Sequence, residues 1–436
     1  MRVLIVCPSF APSNAADSHR VRLLLPYLRE NGCEAEVLAV DARDVRSPRD
    51  PWLSERLPNW VPVHHVRAWP LRGWGLNGLA QRAIVPLYRR GSQLLGQGRF
   101  DLVFFSTTET LLHVLGPLWQ RQFGVPFCMD YQDPWVNDYY REHSEIIPPG
   151  GRIKFGLSDR LHRWGERSVA PRCSGFLAVS KGYLDSLTER YGQSVTWQPR
   201  LVQPFPGEPA ELETLRAALP EASPGPDQPR LIRYIGRGGP DMDRAVRAFF
   251  KTWRDLIDRG AIAADALRFE AIGTAYYADK PQPTMAPLAN EYGLRDCVSE
   301  DPRRLGYREM LLGLLGSDAL VVFGSDDPAY TASKIYPYLL ARRPLLAIFH
   351  RDSSVVGLME EVGGGRCATF DAEGFPQGSI DAIGQFLLDL AAGVPAVPLD
   401  EARLARYCAP AQAAALVDWF RRVIREAKRL GTGHGS

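Results

Sequence analysis

The sequence of 436 residues has little of several features that would point to a particular class of protein. Its cysteines stand far apart with no C-x-x-C pair, which argues against a zinc site and predicts reduced structural thiols in a cytoplasmic protein. They are Cys7, Cys33, Cys128, Cys173, Cys297, Cys367 and Cys408. No segment approaches the roughly 20 apolar residues of a membrane span. The first residues, MRVLIVCPSF, are too short an apolar stretch for a signal peptide and predict a buried strand.

Net charge and catalytic motifs are also scarce. The 52 basic and 50 acidic residues leave a formal charge of +2, so the totals do not indicate a nucleic-acid partner. No nucleophile elbow, His-Glu-x-x-His, P-loop or Cys/His pairing is present, which weighs against a hydrolase. The first loop, PSFAPSNAADSHR, is not G-x-G-x-x-G, so a nicotinamide oxidoreductase or a nucleotide-sugar epimerase lacks its usual fingerprint.

The chain does contain two successive alternations of apolar strands and amphipathic helices. The first begins with the strand Arg2 to Cys7, the helix His19 to Glu30 and the strand Ala35 to Val40, and its last predicted strand is Gly175 to Val179. A proline-rich stretch then predicts a linker. The predicted parts are a Rossmann-like domain over 1–200, a linker over 201–228, a second Rossmann-like domain over 229–408, and a final helix and tail over 409–436.

The most informative stretch lies in the second alternation. A strand from Ala319 to Phe323, a polar loop from Gly324 to Ser333, a helix and a strand from Leu345 to Phe349 predict one βαβ unit. The loop follows the carboxyl end of a strand, where open α/β sheets bind ligands, and the helix would offer free N–H groups. With Lys334 in its first turn, an anion such as phosphate is the expected ligand. The alternative is an ordinary loop, since any α/β protein has several.

A glycine-rich turn, RYIGRGGPDMDRA, opens the second domain. Gly236 and Gly238 would let the backbone approach a ligand, and Arg237 would supply a permanent cation, so phosphate again fits. Asp241 and Asp243 form a D-x-D pair, a pattern that can hold a metal ion; a helix N-cap and a favourable dipole are the simpler explanation here.

Two segments of the first domain have both a functional and a structural interpretation. After the strand Val125 to Asp130, a loop of unusual length is either functional or an exposed insertion; it carries Asp133, Trp135, Tyr139, Tyr140 and His143. The following helix, Arg152 to Ala170, is basic and amphipathic, with Ile153, Leu157, Leu161 and Trp164 on one face. Such a helix either makes a peripheral membrane contact through 152–167 or packs on the protein by its apolar stripe.

Four motifs in this order resemble the GT-B glycosyltransferases, specifically glycosyltransferase family 4. They are PSFAPSN, YIGR, SKIYPYLLARRPLLAI and EEVGGGR, and the resemblance covers most of the chain. It implies an α/β fold of two Rossmann-like domains facing across a cleft, with the final helix crossing back to the first domain. It also implies that a nucleotide-diphospho-sugar binds to the second domain and the acceptor to the first, with retention of configuration and without a metal or other cofactor.

The resemblance also assigns residues. Arg237 is similar to the basic residue that contacts the donor diphosphate, Ser333 and Lys334 match the serine-lysine step before the donor helix, and the later glycine loop falls on Gly364 and Gly365. The chain departs from the family at two places. Met242 stands near the position of a lysine, with Arg244 a little beyond, and Ala329 and Pro337 stand where many members have two glutamates, the second of which holds the ribose.

The resulting hypothesis is a cytoplasmic glycosyltransferase, with contact at the inner membrane face left open. Its acceptor would be a glycan, a lipid-linked or a small molecule, with cell-envelope polysaccharide as one context. His19 and Asp133, together with His113, are the candidates to orient the acceptor hydroxyl; alternatively, His19 caps local structure and Asp133 sets a turn before Pro134. The competing hypothesis, motivated by the missing glutamates, is a catalytically inactive GT-B-like binding or partner protein.

Overall fold

The computed structural model of the protein describes residues 1–71, 77–136, 152–219, 228–275, 281–327, 330 and 333–432. The chain divides into two compact units. Unit 1 comprises Met1–Phe205 and Ala409–Ser436, and unit 2 comprises Pro206–Cys408. Three residues of the long predicted loop, Tyr139, Tyr140 and His143, lie outside the described residues, as does Ala329.

Unit 1 contains a parallel sheet of seven strands in the order β3-β2-β1-β4-β5-β6-β7. The strands are β1 (Arg2–Val6), β2 (Glu34–Val40), β3 (Val63–Val66), β4 (Leu102–Ser106), β5 (Phe127–Tyr131), β6 (Gly175–Ala178) and β7 (Arg200–Val202). Its central strands are almost continuously apolar, as expected for strands buried on both faces. The strand order reverses between β1 and β4, which makes their carboxyl ends a switch point. The prediction that Gly175 to Val179 is the last strand is wrong, because β7, only three residues long, follows it.

The helices of the first part of unit 1 follow the strands as the parallel topology requires. They are α1 (Ala16–Leu28), α2 (Pro51–Glu55), α3 (Leu79–Leu95), α4 (Leu115–Phe123), α5 (Arg152–Val169) and α6 (Lys181–Tyr191). Trp119 of α4 is fully buried against Phe105 of β4, with the two rings stacked 5.9 Å apart. A core of aromatic and aliphatic side chains therefore joins these helices to the sheet.

Unit 2 contains a second parallel sheet, of six strands in the order β10-β9-β8-β11-β12-β13. The strands are β8 (Arg230–Ile235), β9 (Leu267–Ile272), β10 (Val298–Asp301), β11 (Ala319–Phe323), β12 (Leu345–His350) and β13 (Arg366–Phe370). The helices are α7 (Pro209–Ala218), α8 (Asp243–Asp258), α9 (Ala286–Glu291), α10 (Tyr307–Leu315), α11 (Ile335–Leu340), α12 (Ser354–Val362), α13 (Gln377–Ala391) and α14 (Glu401–Leu404). Since β8 lies beside β11, the glycine-rich turn and the loop before Lys334 leave the same edge of the sheet.

The last helix, α15 (Ala409–Thr432), belongs to unit 1. Its apolar face includes Trp419 and Phe420, both fully buried, and the ring of Phe420 lies 5.1 Å from that of Phe104 in β4. The indole N–H of Trp419 donates a hydrogen bond of 3.1 Å to the carbonyl of Pro199. Apolar residues at helical spacing thus explain why this helix returns to the first sheet, as the GT-B resemblance implied.

The segment around Lys334 differs from its predicted form. The helix α11 has only six residues and begins at Ile335, with Lys334 as its N-cap residue, so Lys334 precedes the first turn. Pro337 lies inside this helix, where it cannot donate a backbone hydrogen bond. The predicted linker 201–228 also contains regular structure, namely the end of β7 and the helix α7.

Candidate functional site

The ammonium group of Lys334 and the glycine-rich turn after β8 meet at the carboxyl edge of the second sheet. A Cβ atom added to Gly236 would lie only 2.6 Å from Lys334 Nζ and 2.8 Å from the hydroxyl of Tyr234. Because real Cβ contacts are essentially never so short, a larger residue at 236 would force the ammonium group of Lys334 or the hydroxyl of Tyr234 to move. Gly236 and Lys334, separated by almost a hundred residues, are therefore neighbours at this edge of the sheet.

Lys334 carries a buried ammonium group close to two arginines. Burial, followed by the charges of Arg237 and Arg304, lowers the pKa of Lys334 to about 7. In the part of the chain that the structure describes, neither a carboxylate nor another acceptor binds this ammonium group. Arg304 is exposed and likewise has no acidic partner among the described residues. Crowded cations of this kind favour a bound anion, which would offset their mutual repulsion.

Arg237 is held in a fixed orientation by its neighbours. Its guanidinium group donates two hydrogen bonds to the carboxylate of Asp241, at 2.9 and 2.7 Å, and lies 4.8 Å from the ring centre of Tyr330. Burial opposes the charged form of Arg237, but Asp241 outweighs it and the pKa stands above its usual value. The charge of Arg237 is thus partly neutralised, and Lys334 and Arg304 carry the uncompensated charge.

The other glycines of the turn pack against the protein itself. The amide of Gly238 donates to the carbonyl of Thr274 at 2.8 Å, and a Cβ atom at 238 would lie 2.1 Å from the hydroxyl of Thr284. Both threonines bind the carboxylate of Glu300, which also accepts hydrogen bonds from three backbone amides at the start of α9. The amino end of α9 is therefore satisfied by Glu300, a partner that the sequence analysis missed.

The D-x-D pair does not act as a helix cap. The N-cap residue of α8 is Met242, with no side-chain hydrogen bond, so the predicted N-cap role of the aspartates is wrong. Asp241 is instead bound to Arg237, while Asp243 lies in the first turn of α8, where the helix dipole favours a carboxylate. Among the described residues, no group of three or more His, Cys, Asp or Glu side chains is placed to hold a metal ion.

The candidate residues of unit 1 follow the carboxyl ends of its central strands. His19 lies in the first turns of α1, with Nε2 3.0 Å from Oδ1 of Asn14. Burial, and secondarily the charge of Arg22, lowers the pKa of His19 to about 3, so its imidazole is neutral at pH 7. Asp133 lies two residues after β5 and its side chain is exposed. Partial desolvation of its carboxyl group by the surrounding protein nevertheless raises its pKa. No contact between His19 and Asp133 is present in the described ranges.

His113 occupies a different environment from that of an exposed catalytic group. Its ring is buried, with centroids 5.6 Å from Phe105 and 5.1 Å from Trp135. Burial lowers the pKa of His113 to about 3. Neither ring nitrogen has a hydrogen-bond partner in the described part of the chain. His113 is therefore a buried, neutral imidazole packed against the aromatic rings of Phe105 and Trp135.

A buried ion pair that the sequence analysis missed anchors this part of unit 1. Arg20 Nε lies 2.8 Å from Asp130 Oδ2, and both side chains have 0% exposure. Asp130 also accepts hydrogen bonds from Ser106 at 2.9 Å and from Gln132 at 2.8 Å, while Arg20 donates to the carbonyl of Gln203. The pair ties α1, β4, β5 and the segment after β7 together. The sequence did contain one signal of this pair: Asp130 stands near the end of an apolar strand, and Arg20 stands in a helix rich in apolar residues.

Beside this pair, Asp17 is a buried carboxyl group with a strongly shifted pKa. Burial, opposed in part by hydrogen bonds from Thr108 and Thr107, raises the pKa of Asp17 to about 7. The hydroxyl of Thr107 lies 3.4 Å from its Oδ2. The carboxyl edge of the first sheet thus contains a group that titrates near neutral pH.

Comparisons with known proteins agree with this architecture. Residues 18–200 match the family model described as Glycosyl transferase 4-like domain. The crystal structure of Anabaena HepE in complex with UDP superposes with a TM-score of 0.54, 14% identity and coverage of 99% of each chain. The fold is that of the GT-B glycosyltransferases. The GT-B fold and the resemblance to family 4 predicted from the sequence are confirmed.

Two further GT-B structures have similar statistics. A glycosyltransferase from Rickettsia africae ESF-5 has a TM-score of 0.58 and 10% identity, covering 97% of this chain and 98% of its own. Sucrose-phosphate synthase from Thermosynechococcus elongatus has a TM-score of 0.54 and 13% identity, covering 99% and 98%. No curated protein sequence matches the chain.

Within the GT-B fold, the two departures from the family pattern have distinct surroundings. Met242 is buried, and Arg244 pairs with Asp326 at 3.2 Å, so neither adds a free cation near Lys334. The first missing glutamate falls on Ala329, outside the described residues, and the second on Pro337 in α11.

The later glycine loop lies at the amino ends of the strands of the second sheet, whereas Lys334 follows the carboxyl end of β11. Gly364 has a φ of +81°, and a Cβ atom on Gly365 would lie 2.5 Å from the carbonyl oxygen of Leu345, the first residue of β12. These glycines therefore allow a tight turn and close backbone packing at the amino ends of β12 and β13.

Proposed function

We propose that this GT-B protein transfers a glycosyl group from a nucleotide-diphospho-sugar to a hydroxyl group of an acceptor, with retention of the anomeric configuration. Unit 2 binds the donor and unit 1 binds the acceptor. The observation that carries the proposal is the uncompensated ammonium group of Lys334 beside Gly236, with Arg237 and Arg304 close enough to lower its pKa. A diphosphate supplies the negative charge that this cluster lacks.

The chemistry follows from where charge develops. As the nucleoside diphosphate leaves, negative charge grows on its departing oxygen while the sugar becomes oxocarbenium-like. Lys334 and Arg304 then interact more strongly with the diphosphate than they do in the ground state, which lowers the barrier. Arg237, oriented by Asp241 and Tyr330, contributes a guanidinium group that needs little reorganisation. These side chains supply positive charge, so the proposal invokes no metal and no resident cofactor.

In unit 1, His19 and Asp133 are proposed to position the acceptor hydroxyl. A neutral imidazole accepts a hydrogen bond from a hydroxyl group, and the low pKa of His19 keeps it neutral. The match of residues 18–200 to a Glycosyl transferase 4-like domain supports a role of this unit in sugar transfer.

The choice of donors to test rests on the comparisons. Anabaena HepE has been crystallised with UDP and with UDP-glucose, which supports a nucleotide-sugar donor and places uridine donors first in a panel. The panel should also contain guanosine, adenosine and thymidine diphospho-sugars, so that the binding measurements identify the base.

The test measures donor binding by calorimetry and donor hydrolysis or transfer with each member of the panel. Arg237→Ala and Lys334→Ala should each reduce turnover by about 10²-fold or more, as expected for loss of one charge-stabilising donor. Asp241→Asn is needed beside Arg237→Ala, because the alanine variant leaves the carboxylate of Asp241 without its partner. Lys251→Ala, an exposed lysine paired with Asp255 on α8, is the matched control and should leave turnover unchanged.

Three outcomes separate the hypotheses. Turnover that depends on Lys334 and Arg237 but not on Lys251 supports sugar transfer. Binding of a nucleotide sugar without turnover, with acceptors included, would favour the inactive binding protein. Unchanged turnover in both Arg237→Ala and Lys334→Ala would remove the proposed donor site.

A further inference from the structure

One helix of unit 1 exposes apolar side chains that a surface helix normally buries. Leu161 and Trp164 of α5 are 45% and 64% exposed, and they lie three residues apart on one helix face. The sequence left open whether this apolar stripe packs on the protein. At these two positions the side chains are largely exposed, so the helix presents an apolar strip that the described residues do not cover.

The charges of the same helix are sorted by sign. Its two acidic residues point inward: Asp159 is buried and pairs with Arg163 at 3.0 Å, and Glu166 is fully buried and bound by Arg190 at 3.1 Å. Arg160 and Arg167, which are exposed, lie four residues before and three residues after Trp164, so the three side chains share one face. Every exposed charge on the described part of α5 is therefore positive.

We propose that this face of α5 docks on an anionic membrane surface. An indole ring prefers the boundary between headgroups and acyl chains, where its apolar body is buried and its N–H stays hydrated. The planar guanidinium groups of Arg160 and Arg167 match lipid phosphates in charge and geometry. A helix with apolar residues bordered by arginines lies in the plane of such an interface.

The proposed docking face is fixed to the rest of unit 1. A Cβ atom on Gly165 would lie 2.9 Å from the indole of Trp135, and His162 Nδ1 lies 3.3 Å from the carbonyl of Trp135. Trp135 comes two residues after Asp133, so α5 packs directly on the segment that carries this acceptor candidate. The docking inference itself stands on exposure and charge, and it does not depend on the sugar-transfer proposal.

This face could bind either a membrane or a second copy of the protein, and its positive charge favours the membrane. Two identical faces that carry only arginines would repel each other, whereas an anionic bilayer attracts them at long range. Within the described residues, no helix is long and apolar enough to cross a bilayer, and docking through α5 requires none.

The experiment is co-sedimentation of the full chain with phosphatidylcholine vesicles, with and without about one-third phosphatidylglycerol. The chain should bind the anionic vesicles, and binding should weaken as salt rises. Arg160→Gln with Arg167→Gln should weaken binding by roughly 25-fold, about fivefold for each arginine near an anionic surface. Trp164→Ser should weaken it by about tenfold or more, since an interfacial aromatic contact is lost.

Matched controls exist in the same unit. Leu118→Ser removes an apolar side chain that is 51% exposed on α4, and Arg89→Gln with Arg121→Gln removes two exposed arginines from α3 and α4. These controls should bind vesicles like the wild type, and all variants should keep the wild-type melting temperature because the substituted side chains are exposed.

Each of the following results would overturn the proposal. One is equal binding to neutral and anionic vesicles, or no binding to either. The other is weakening by the control variants as large as that by the α5 variants. Analytical ultracentrifugation tests whether this face binds a second copy of the protein. If the protein is a dimer that Trp164→Ser dissociates, and the vesicles are not bound, the face is a protein interface.

Discussion

The pKa of Lys334 predicts that donor binding by unit 2 takes up a proton. Burial and the charges of Arg237 and Arg304 lower the pKa of Lys334 from 10.5 to about 7 in the free protein. A diphosphate beside the ammonium group favours its charged form and raises the pKa of Lys334 again. The bound complex therefore holds a proton that the free protein has largely lost at pH 8.

The magnitude follows from the linkage between protonation and binding. With a pKa of about 7, roughly nine-tenths of the free protein has a charged Lys334 at pH 6 and roughly one-tenth at pH 8. Binding should therefore take up about 0.9 proton at pH 8 and about 0.1 at pH 6, and the affinity should fall roughly tenfold between these pH values. Binding takes up a proton and does not release one, because the ligand binds the protonated form of Lys334.

The assay is titration calorimetry in buffers of different ionisation enthalpy, with the best donor of the panel. An intact nucleotide sugar is preferable to a nucleoside diphosphate, because a terminal phosphate itself titrates near pH 6. Lys334→Arg keeps the charge at all relevant pH values, so it should bind without proton uptake and with a flat pH dependence. Lys334→Met should bind roughly tenfold to a hundredfold more weakly at pH 6, as expected for loss of a charge-assisted hydrogen bond.

The reasoning would be refuted by either of two results. One is the absence of proton uptake by the wild type at pH 8. The other is equal proton uptake by the wild type and Lys334→Arg, which would assign the proton to another group.

Two stability predictions concern the buried charges of unit 1. Arg20→Met should lower the free energy of unfolding by about 3–5 kcal/mol in urea titrations, because it leaves Asp130 buried and unpaired; a loss too small to measure would contradict the role of the pair. Asp17, whose pKa is raised to about 7, is protonated in the folded state and charged in the unfolded state between its ordinary pKa and 7, so stability falls as pH rises through that window. Between pH 5 and pH 8, the free energy of unfolding of Asp17→Asn should rise by about 2–3 kcal/mol relative to that of the wild type. Parallel curves of unfolding free energy against pH for the two proteins would refute this assignment.

The parts of the site that depend on strand topology were predictable from the sequence. Apolar runs such as Ala319–Phe323 identify buried parallel strands, and polar loops after them lie at one edge of the sheet. Gly236 and Lys334 meet because β8 and β11 are neighbours at the switch point. The start of α11 at Ile335 places Pro337 in the first turn of the helix, where a missing backbone N–H removes no intrahelical hydrogen bond.

The parts that depend on partners distant in sequence were not predictable. Asp130 pairs with Arg20, and Glu300 binds the amides at the start of α9, through contacts that leave no local pattern. Periodicity likewise identifies an apolar stripe on α5 but not which face is turned inward. The structure turns Asp159 and Glu166 inward because Arg163 and Arg190 satisfy their charges, and Trp164 is left exposed.

The central claim is that unit 2 binds a nucleotide-sugar diphosphate at Lys334. The most direct measurement is a crystal structure of the protein with a bound nucleoside diphosphate chosen from the donor panel. The account predicts phosphate oxygens within about 3 Å of Lys334 Nζ, the distance of a charge-assisted hydrogen bond, with Arg237 or Arg304 as a second cationic contact. A nucleotide bound elsewhere, with its phosphates away from Lys334, would contradict it.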